Sequence, residues 1–442
     1  MSEIRIDNSE LIGRNLLTKI KVPGFLKKYF KSFSLFAYYD SDIIANKSIL
    51  NIPFLSAVLP LAWLTGYDIV VEELDMTFKK SMDELKSEFM KMYPKIQFTT
   101  EIYADELVEN KYNIIDPEAY TALLFSGGVD STYSLITNIN LRPRLIMIWG
   151  ADYYPYPKHS EHWKRVISTY TKFTKKHRLI FHLIKTNIGD LLDVLRIEHD
   201  FHDLLYDGSF RSRLQHSFVL LPIVAPLSVG RFNRLLIAAS CDPKRPYNRA
   251  PRAWASQPNT DKKIVWANLR VKHDGYIPRI KKISNTIKEY LKNDSLILRV
   301  CSQKKPETEK LNCSVCEKCL RTIASLILFE INPKSCGFEV DNSTFHLIKH
   351  ILKKEGLTAE QREAEWESIQ MMIQDEINYD LYGSEKFFKW FKVIDLKSME
   401  KNVWIYRDLY TTLPYSISRV LDMFYRKIGI NIHDNCPIRQ KS

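Results

Sequence analysis

Two groups of residues in this chain have the types and spacing that ligand binding requires. The first is the run SGGVDS, which follows an apolar segment and precedes a stretch of helical character. Two adjacent glycines let the backbone turn tightly and approach a ligand, so that its N–H groups can point at phosphate oxygens. Serine hydroxyls and the start of the next helix add hydrogen bonds and positive potential. The run therefore predicts a phosphate-binding loop made of Ser126, Gly127, Gly128, Val129, Asp130 and Ser131.

Asp130 is unusual in a phosphate-binding loop, because a carboxylate is unfavourable beside bare phosphates. Its presence predicts one of two roles: it holds Mg²⁺ between itself and the phosphates, or it orients the loop. The plainer alternative is a strand-to-helix turn in which serine and aspartate cap the helix. The chain contains no GxxxxGK[ST] or GxGxxG run, which disfavours a Walker ATPase and a dinucleotide enzyme.

The second group is four closely spaced cysteines, Cys301, Cys313, Cys316 and Cys319. Thiolates favour Zn²⁺ or an iron–sulfur cluster over hard cations. Two successive CxxC steps let neighbouring sulfurs converge on one ion, and the upstream cysteine can complete a tetrahedron. A site with four cysteine ligands has no open position, so the predicted zinc is structural. Cys241, Cys336 and Cys436 are interpreted as scattered thiols without a role.

Strands and helices alternate around the loop. The pattern predicts strands at 120–125, 145–149, 179–185 and 234–239, and helices at 131–138, 159–176 and 214–227. Such alternation predicts an α/β fold whose Rossmann-like parallel sheet is covered on both faces, with ligands at the carboxyl ends of the strands. A further helix is predicted at 320–329.

A chain of 442 residues exceeds one ordinary core, so three domains are predicted. They are an N-terminal α/β extension (1–117), the loop domain with the cysteine site (118–338) and a helical C-terminal domain (339–442). In the first, helices are predicted at 50–64 and 75–92, and strands at 67–71 and 96–101.

The positive charge is unevenly placed. Thirteen Lys and Arg and three Asp lie between 231 and 282, so this segment carries +10 of the formal charge of +12. It predicts either a solvated surface or a site facing anions, which are nucleotide phosphates or a nucleic acid. The start, MSEIRIDNSE, has no secretory or transit pattern, and the apolar stretch 52–67 is shorter than the ~20 residues of a membrane span. A cytoplasmic protein without a membrane partner is expected.

The run SGGxDS after an apolar strand closely resembles the signature of PP-loop ATP pyrophosphatases, which have the adenine nucleotide alpha-hydrolase fold. The resemblance implies that ATP binds in a Rossmann-like sheet. A carboxyl or carbonyl oxygen is then adenylated, and pyrophosphate leaves before a nucleophile displaces AMP. The resemblance also places the end of the second predicted strand, Ile148-Trp149-Gly150, near the adenine and Ser240 near the nucleotide or substrate.

The loop together with an upstream cysteine, CxxCxxC and a trailing Arg321 looks like the 7-cyano-7-deazaguanine synthase family over about 120 to 325. In that family the cysteines bind structural zinc, and ATP activates 7-carboxy-7-deazaguanine so that ammonia forms an amide and then a nitrile. Arg279 stands where the family has a phosphate-contacting lysine, with Lys282 as the second candidate. These two and Asp130 are the expected catalytic residues.

The chain also departs from that family. The helix before the fourth strand opens with RLQH at 213–216 rather than an Arg-Asn pair, and the stretch 241–261 lacks a tyrosine-rich substrate loop. His216 and the pair His273-Asp274 are weaker candidates for contacts with a substrate. The large extensions are similar to those of expanded homologues in bacterial antiphage defence operons, which are associated with a protein partner or a modified nucleobase.

The resemblance thus implies an AMP-forming, ATP-dependent ligase or synthase that uses ATP, Mg²⁺ and Zn²⁺. It would adenylate a small-molecule or protein-bound carboxylate, a 7-deazaguanine-type acid among them, and pass it to an amine, with a protein partner from the same operon. Two alternatives stay open. One is a tRNA thiolation or modification enzyme with an iron–sulfur cluster on three cysteines, whose basic segment holds RNA. The other is a nucleotide-sensing scaffold.

Overall fold

The computed structural model describes residues 3–115, 120–151, 155–206, 208–240, 253–301, 310–375, 380–400 and 409–427. Its strands are β1 (Glu3–Ile12), β2 (Asn15–Lys21), β3 (Ser34–Tyr39), β4 (Asp68–Asp75), β5 (Ile102–Val108), β6 (Thr121–Leu124), β7 (Arg144–Trp149), β8 (Phe181–Thr186), β9 (Arg234–Ala238) and β10 (Arg270–Asp274). Its α-helices are α1 (Lys47–Leu50), α2 (Ile52–Thr65), α3 (Met76–Met92), α4 (Val129–Thr137), α5 (Ser160–Lys176), α6 (Val194–Asp200), α7 (His216–Leu220), α8 (Ala225–Ser228), α9 (Pro258–Asp261), α10 (Arg279–Lys281), α11 (Lys288–Leu291), α12 (Glu317–Leu328), α13 (Thr344–His350), α14 (Glu367–Gln370), α15 (Ser384–Val393) and α16 (Tyr415–Lys427).

The ten described strands form one sheet in the order β10-β9-β6-β7-β8-β3-β2-β1-β4-β5. The five strands from β10 to β8 are mutually parallel. Strand β3 then pairs with β8 in the antiparallel sense, as do β2 with β3 and β1 with β2, and the far edge returns to parallel pairing through β4 and β5. The expected α/β fold with a mostly parallel sheet is confirmed.

The strands of the N-terminal extension continue the central sheet, because β3 is hydrogen-bonded to β8. The predicted helices at 50–64 and 75–92 and the strand at 67–71 correspond to α2, α3 and β4. The prediction of a strand at 96–101 was wrong, because these residues are not in a strand and the edge strand β5 begins only at Ile102. The domain boundary at 117 falls among residues 116–119, outside the described residues, and the three-domain division stays a prediction.

The apolar stretch after residue 51 is a core helix. Every residue of α2 from Ile52 to Leu64 is buried, and Trp63 packs edge-on against Phe218 with ring centroids 5.3 Å apart. The side chain of Ser56 donates to the carbonyl oxygen of Phe218 over 2.8 Å. None of the helices in the described ranges has the length and apolar character needed to cross a membrane.

The single helix predicted at 214–227 was wrong. The segment is divided into short pieces, with a break at Leu221 and further turns at Pro222–Val224 and α8. Proline has no backbone N–H and its ring clashes with the preceding turn, so Pro222 and Pro226 interrupt the helix. The other elements predicted between 120 and 239 are present with shifted ends, whereas β10 was not foreseen.

Strand β6 lies between β7 and β9, and the chain proceeds from β6 first to one side and later to the other. Such a change of direction leaves a crevice at the carboxyl ends of the two neighbouring strands, where ligands bind in open α/β sheets. The residues that follow β6 and β9 are the predicted glycine-rich run and Ser240. From 344 onward, the regular elements that the structure describes are helical, as expected, and they pack through Trp366 and Phe391 into the same core as Leu320 of α12.

Candidate functional site

A cleft of about 550 Å³ opens at the carboxyl ends of the central strands. Its floor is apolar and is formed by Leu124, Ile146, Ile148 and Ile237. Its walls come from the segments after β6, β7 and β9, from the region of the cysteines and from the C-terminal part. The polar and aromatic residues that line it include Ser126, Asp130, Ser131, Trp163, His216, Ser240, Trp254, Ser256, Arg279, Arg299, Glu317, Lys318, Arg321, Thr358, Glu360, Gln361 and Glu365.

The run at 126–131, called the glycine loop below, connects β6 to α4 along one side of this cleft. Gly127 has a φ of +78°, and a Cβ atom on it would collide with the hydroxyl oxygen of Tyr170. That hydroxyl donates to the carbonyl oxygen of Ile297 over 3.2 Å, so it is held in place. Both the backbone conformation and the space therefore require glycine at 127.

Helix α4 directs its amino end at the cleft. Its first intrahelical hydrogen bond runs from the N–H of Thr132 to the carbonyl oxygen of Gly128 over 2.9 Å. The N–H groups of Val129, Asp130 and Ser131 precede this bond and have no acceptor within the helix. These three residues line the cleft. The loop thus presents first-turn amides and the positive end of a helix dipole, which together attract anions.

The serine hydroxyls stabilise the loop from within. The Oγ atoms of Ser126 and Ser131 are 3.2 Å apart, and Ser131 also donates to the carbonyl oxygen of Gly128 over 3.2 Å. The N–H of Gly128 donates to Ser126 Oγ over 3.3 Å. These contacts close a small ring of hydrogen bonds, so both hydroxyls remain close to the first-turn amides.

Asp130 is bound by two cations. Arg279 Nη2 donates to its Oδ2 over 2.6 Å, and Lys282 Nζ donates to its Oδ1 over 2.7 Å. Lys282 also donates to the carbonyl oxygen of Ala239 over 2.5 Å, which anchors it behind β9. Although burial favours the neutral acid, Arg279 and Lys282 hold the pKa of the Asp130 carboxyl well below its usual range. The carboxylate therefore orients both cations toward the glycine loop.

The arrangement around Asp130 does not suit a magnesium ion. Each carboxylate oxygen already accepts a charge-assisted hydrogen bond, and Mg²⁺ would have to displace at least one of the two cations to bind there. Of the two roles that the sequence leaves open for Asp130, orienting the loop agrees with these contacts.

The ion pairs continue from Arg279 to the C-terminal part of the chain. Arg279 Nη1 donates to Glu365, whose Oε1 lies 3.3 Å from Arg321 Nη1. Glu317 Oε1 lies 3.5 Å from the same Arg321 atom and accepts from the indole of Trp366 over 2.9 Å. Three carboxylates thus alternate with three cations in what we call the charge network, which comprises Asp130, Arg279, Lys282, Glu317, Arg321 and Glu365.

Arg299 fastens the other side of the loop. Its backbone N–H donates to the carbonyl oxygen of Gly127 over 2.7 Å, and its side-chain Nη1 donates to the carbonyl oxygen of Ser126 over 3.2 Å. Its guanidinium lies over the ring of Trp163, 4.9 Å from the centroid. A second arginine is therefore fixed beside the glycine loop, where it adds positive potential to the cleft.

The four predicted cysteines converge. Their sulfurs all lie within 4.8 Å of one another, with Sγ–Sγ distances of 3.5 Å between Cys316 and Cys319, 3.9 Å between Cys313 and Cys319, and 4.0 Å between Cys301 and Cys316. A tetrahedral zinc with bonds of about 2.3 Å requires sulfurs roughly 3.8 Å apart. The cluster could therefore hold a metal ion such as zinc. Cys336 is buried and does not belong to it, whereas Cys241 and Cys436 lie outside the described residues.

The metal site and the cleft share two segments. Cys301 lines the cleft and follows Arg299 by two residues, so that ligand and arginine lie on one short segment. Cys316 precedes the first residue of α12, and that helix contributes Glu317, Lys318 and Arg321 to the cleft. A metal bound by the cysteines would fix both segments against the glycine loop.

The other predicted site residues differ in their access to the cleft. Ser240 lines it with Gly128 and Val129, whereas Gly127 lies against the hydroxyl of Tyr170 and Lys282 is buried beside Asp130. Trp149 stacks on Trp163 with ring centroids 5.3 Å apart, and its neighbours Ile148 and Gly150 line the cleft in its place. His273 is hydrogen-bonded through Nδ1 to the buried Asp261 over 2.6 Å, and His216 lines the cleft.

The basic segment 231–282 is dispersed in the structure. Lys263 pairs with Glu88, Lys272 pairs with Asp274, and the guanidinium of Arg234 lies over the ring of Tyr120. Among the basic residues of this segment that the structure describes, Arg279 alone lines the cleft. Four of the thirteen basic residues fall at 241–252, outside the described residues, and these are Lys244, Arg245, Arg249 and Arg252.

Several residues of the cleft have no clear signal in the sequence. Nothing in the sequence distinguishes Arg299 and Lys318 from other basic residues, because their place in the cleft depends on how the cysteine segments fold. Arg321 can be singled out, since it closely follows the cysteine motif. Glu365 belongs to a charged helical stretch that resembles any solvated surface.

Comparison with known proteins adds no assignment: the chain matches no family model, no curated protein and no solved structure.

Proposed function

We propose that this chain is an AMP-forming, ATP-dependent ligase or synthase of the PP-loop type, which adenylates a carboxylate and transfers the acyl group to an amine. The observation that carries the proposal is the position of the glycine loop. Its first-turn amides line a cleft at the point where the strand order reverses, with Arg279 and Lys282 bound to Asp130 beside them. This arrangement favours a ligand with several negative charges.

In the proposed reaction, the β and γ phosphates of ATP bind at the amides of residues 129–131 and the hydroxyls of Ser126 and Ser131. A substrate carboxylate oxygen attacks the α-phosphorus, and the bond from that phosphorus to the bridging oxygen breaks, releasing pyrophosphate. The amine nitrogen then attacks the acyl carbon, AMP departs, and the amine loses a proton. The chain contributes positioning and positive charge where negative charge develops on the leaving group.

The cleft suits an aromatic acid. Its floor is apolar, and the rings of Trp163 and Trp254 belong to its walls. A flat heterocycle such as a 7-deazaguanine-type acid could lie on such a floor, with its carboxylate directed at the polar wall. We therefore propose this substrate class, with ammonia or an amino group of a protein partner as the acceptor.

Zinc at the four cysteines is proposed as structural, because all four tetrahedral positions would be taken by sulfur. The dispersed charge of segment 231–282 gives no support to the alternative in which that segment holds RNA. A role in bacterial antiphage defence and residence in the cytoplasm also belong to this proposal. The role in defence rests on the resemblance of the motifs and of the extensions.

The substrate class can be tested by ATP–pyrophosphate exchange. Labelled pyrophosphate should enter ATP only when 7-carboxy-7-deazaguanine is present, since adenylation is reversible before the amine arrives. A matched control is the 7-deazaguanine that lacks the carboxyl group, which should give no exchange. Exchange that is equally fast with both compounds would contradict the proposed carboxylate substrate.

A further inference from the structure

The charge network contains a carboxylate that the chain itself places between two arginines. Glu365 contacts Arg279 and lies 3.3 Å from Arg321, and all three residues line the cleft. Their side chains are 12 to 21% exposed, so this pair of arginines is accessible from the cleft without being open to bulk solvent. Arginine is the side chain best suited to hold planar oxyanions, because its donors form a rigid fork.

Glu365 comes from a part of the chain that otherwise only borders the cleft. Thr358, Glu360, Gln361 and Ala364 line the same wall, so this segment covers one side of the cleft with Glu365 directed at the arginines. Arg279 is held independently of Glu365, because Asp130 binds its Nη2 over 2.6 Å. Arg321 likewise keeps Glu317 as a second partner. Removal of Glu365 would therefore leave both arginines in place with one unmatched positive charge.

We infer that Arg279 and Arg321 form an oxyanion-binding subsite next to the glycine loop, which Glu365 occupies until a ligand's carboxylate or phosphate group displaces it. The ligand chemistry is a planar or tetrahedral oxyanion that accepts hydrogen bonds from two guanidinium groups. Its source is either the carboxylate of a substrate or a phosphate of a nucleotide. The inference goes beyond the proposed reaction, because it concerns binding alone and requires no adenylation.

The test is a calorimetric titration of the full chain with two probes, inorganic pyrophosphate and benzoate, in the absence of ATP. Glu365→Gln keeps the shape of the side chain and removes its charge. It should tighten the binding of at least one probe roughly tenfold, the size expected for one competing charge in a partly desolvated cleft. A gain for benzoate alone identifies a substrate carboxylate as the ligand, and a gain for pyrophosphate identifies a nucleotide phosphate.

Two controls locate the effect. Glu363→Gln removes the same charge two residues away, where Glu363 pairs with Arg362, and should leave both affinities unchanged. In the double variant E365Q/R321M the gain should disappear, because the second arginine is gone. Equal or weaker binding by Glu365→Gln, an equal gain in Glu363→Gln, or a gain that survives in the double variant would each overturn the inference.

A measurement on the unaltered chain covers the case in which Glu365→Gln does not fold. Amide hydrogen exchange of residues 358–370 should speed up several-fold when the effective probe is added, because displaced Glu365 no longer ties that segment to the arginines. Exchange that is unchanged or slower with both probes would mean that Glu365 is a permanent brace, and the inference would fail. Neither experiment measures turnover, so a failure here is distinct from a failure of the proposed reaction.

Discussion

The backbone N–H of Arg299 donates to the carbonyl oxygen of Gly127 over 2.7 Å, and this bond joins the glycine loop to the segment that contains Cys301. The loop and the cysteine cluster are therefore parts of one assembly, although Ser131 and Cys301 are 170 positions apart in the chain. A metal at the cysteines would position the loop without contacting a ligand.

We predict one zinc ion per chain, bound by the four cysteines. Cys316→Ser should lose the metal and much of the folded structure, because structural zinc contributes on the order of 10 kcal/mol of binding free energy to folding. Cys336→Ser is the matched control, since Cys336 is also buried but lies outside the cluster. Elemental analysis decides: a metal-free protein, or three or more irons per chain, would contradict the prediction.

Removal of the metal should also loosen the glycine loop. After treatment with a chelator, amide exchange at 126–131 should become faster than in the metal-loaded protein, because Arg299 is no longer held by the segment of Cys301. Strand β2, which is separated from β6 in the sheet by β7, β8 and β3, serves as an internal reference and should keep its rate in protein that remains folded. Unchanged exchange in the loop would show that the two sites are independent.

Gly127→Ala should be strongly destabilising. Alanine at a φ of +78° costs about 1 kcal/mol, and the new Cβ would also collide with the hydroxyl of Tyr170. Gly383 is a close control, because it has the same φ of +78° and nothing lies within 4 Å of its Cβ position. Thermal unfolding should therefore show a larger loss for Gly127→Ala than for Gly383→Ala, and equal losses would exclude the steric effect.

Asp200 should give a measurable pH dependence of stability. Although burial favours the neutral acid, hydrogen bonds from His199, Arg196 and Lys28 lower the pKa of Asp200 to about 2. A pKa that is lower in the folded than in the unfolded state stabilises the fold at pH values above the unfolded-state pKa, which is near 4. The contribution here is about 2 kcal/mol, and it is lost as the pH falls toward 2.

Asp200→Asn should thus lower the unfolding midpoint at pH 7, and its difference from the unaltered chain should shrink between pH 4 and pH 2. Asp203→Asn is the control, because that side chain is 87% exposed. A difference that stays constant over this pH range would contradict the assigned ion pairs.

Much of the central sheet is predictable because β6, β7 and β9 are short apolar runs between polar turns, and such runs have few alternative structures. Strand β10 was not predicted, because Arg270, Lys272 and Asp274 give it the composition of a surface loop. It pairs with β9 at the edge of the sheet. The cysteine cluster was predictable from spacing alone. Glu365 was not, because its contact with Arg279 depends on how the C-terminal helices pack.

Arg279→Ala should reduce ATP turnover by on the order of 10²-fold, because in the proposed reaction it removes a cation beside the leaving phosphates. Lys281→Ala is the control, since Lys281 is exposed and lies in the same short helix. Steady-state kinetics would decide, with circular dichroism to verify folding. Unchanged turnover in folded Arg279→Ala would remove this residue from the reaction.

The central claim concerns which bond of ATP is broken. The protein should be incubated with ATP labelled on the γ-phosphate, 7-carboxy-7-deazaguanine and an ammonium salt, and the products separated by chromatography. The account predicts labelled pyrophosphate with AMP, because in the proposed reaction the glycine loop holds the β and γ phosphates as one leaving group, and the sequence contains no Walker motif. Labelled inorganic phosphate with ADP as the co-product would contradict it.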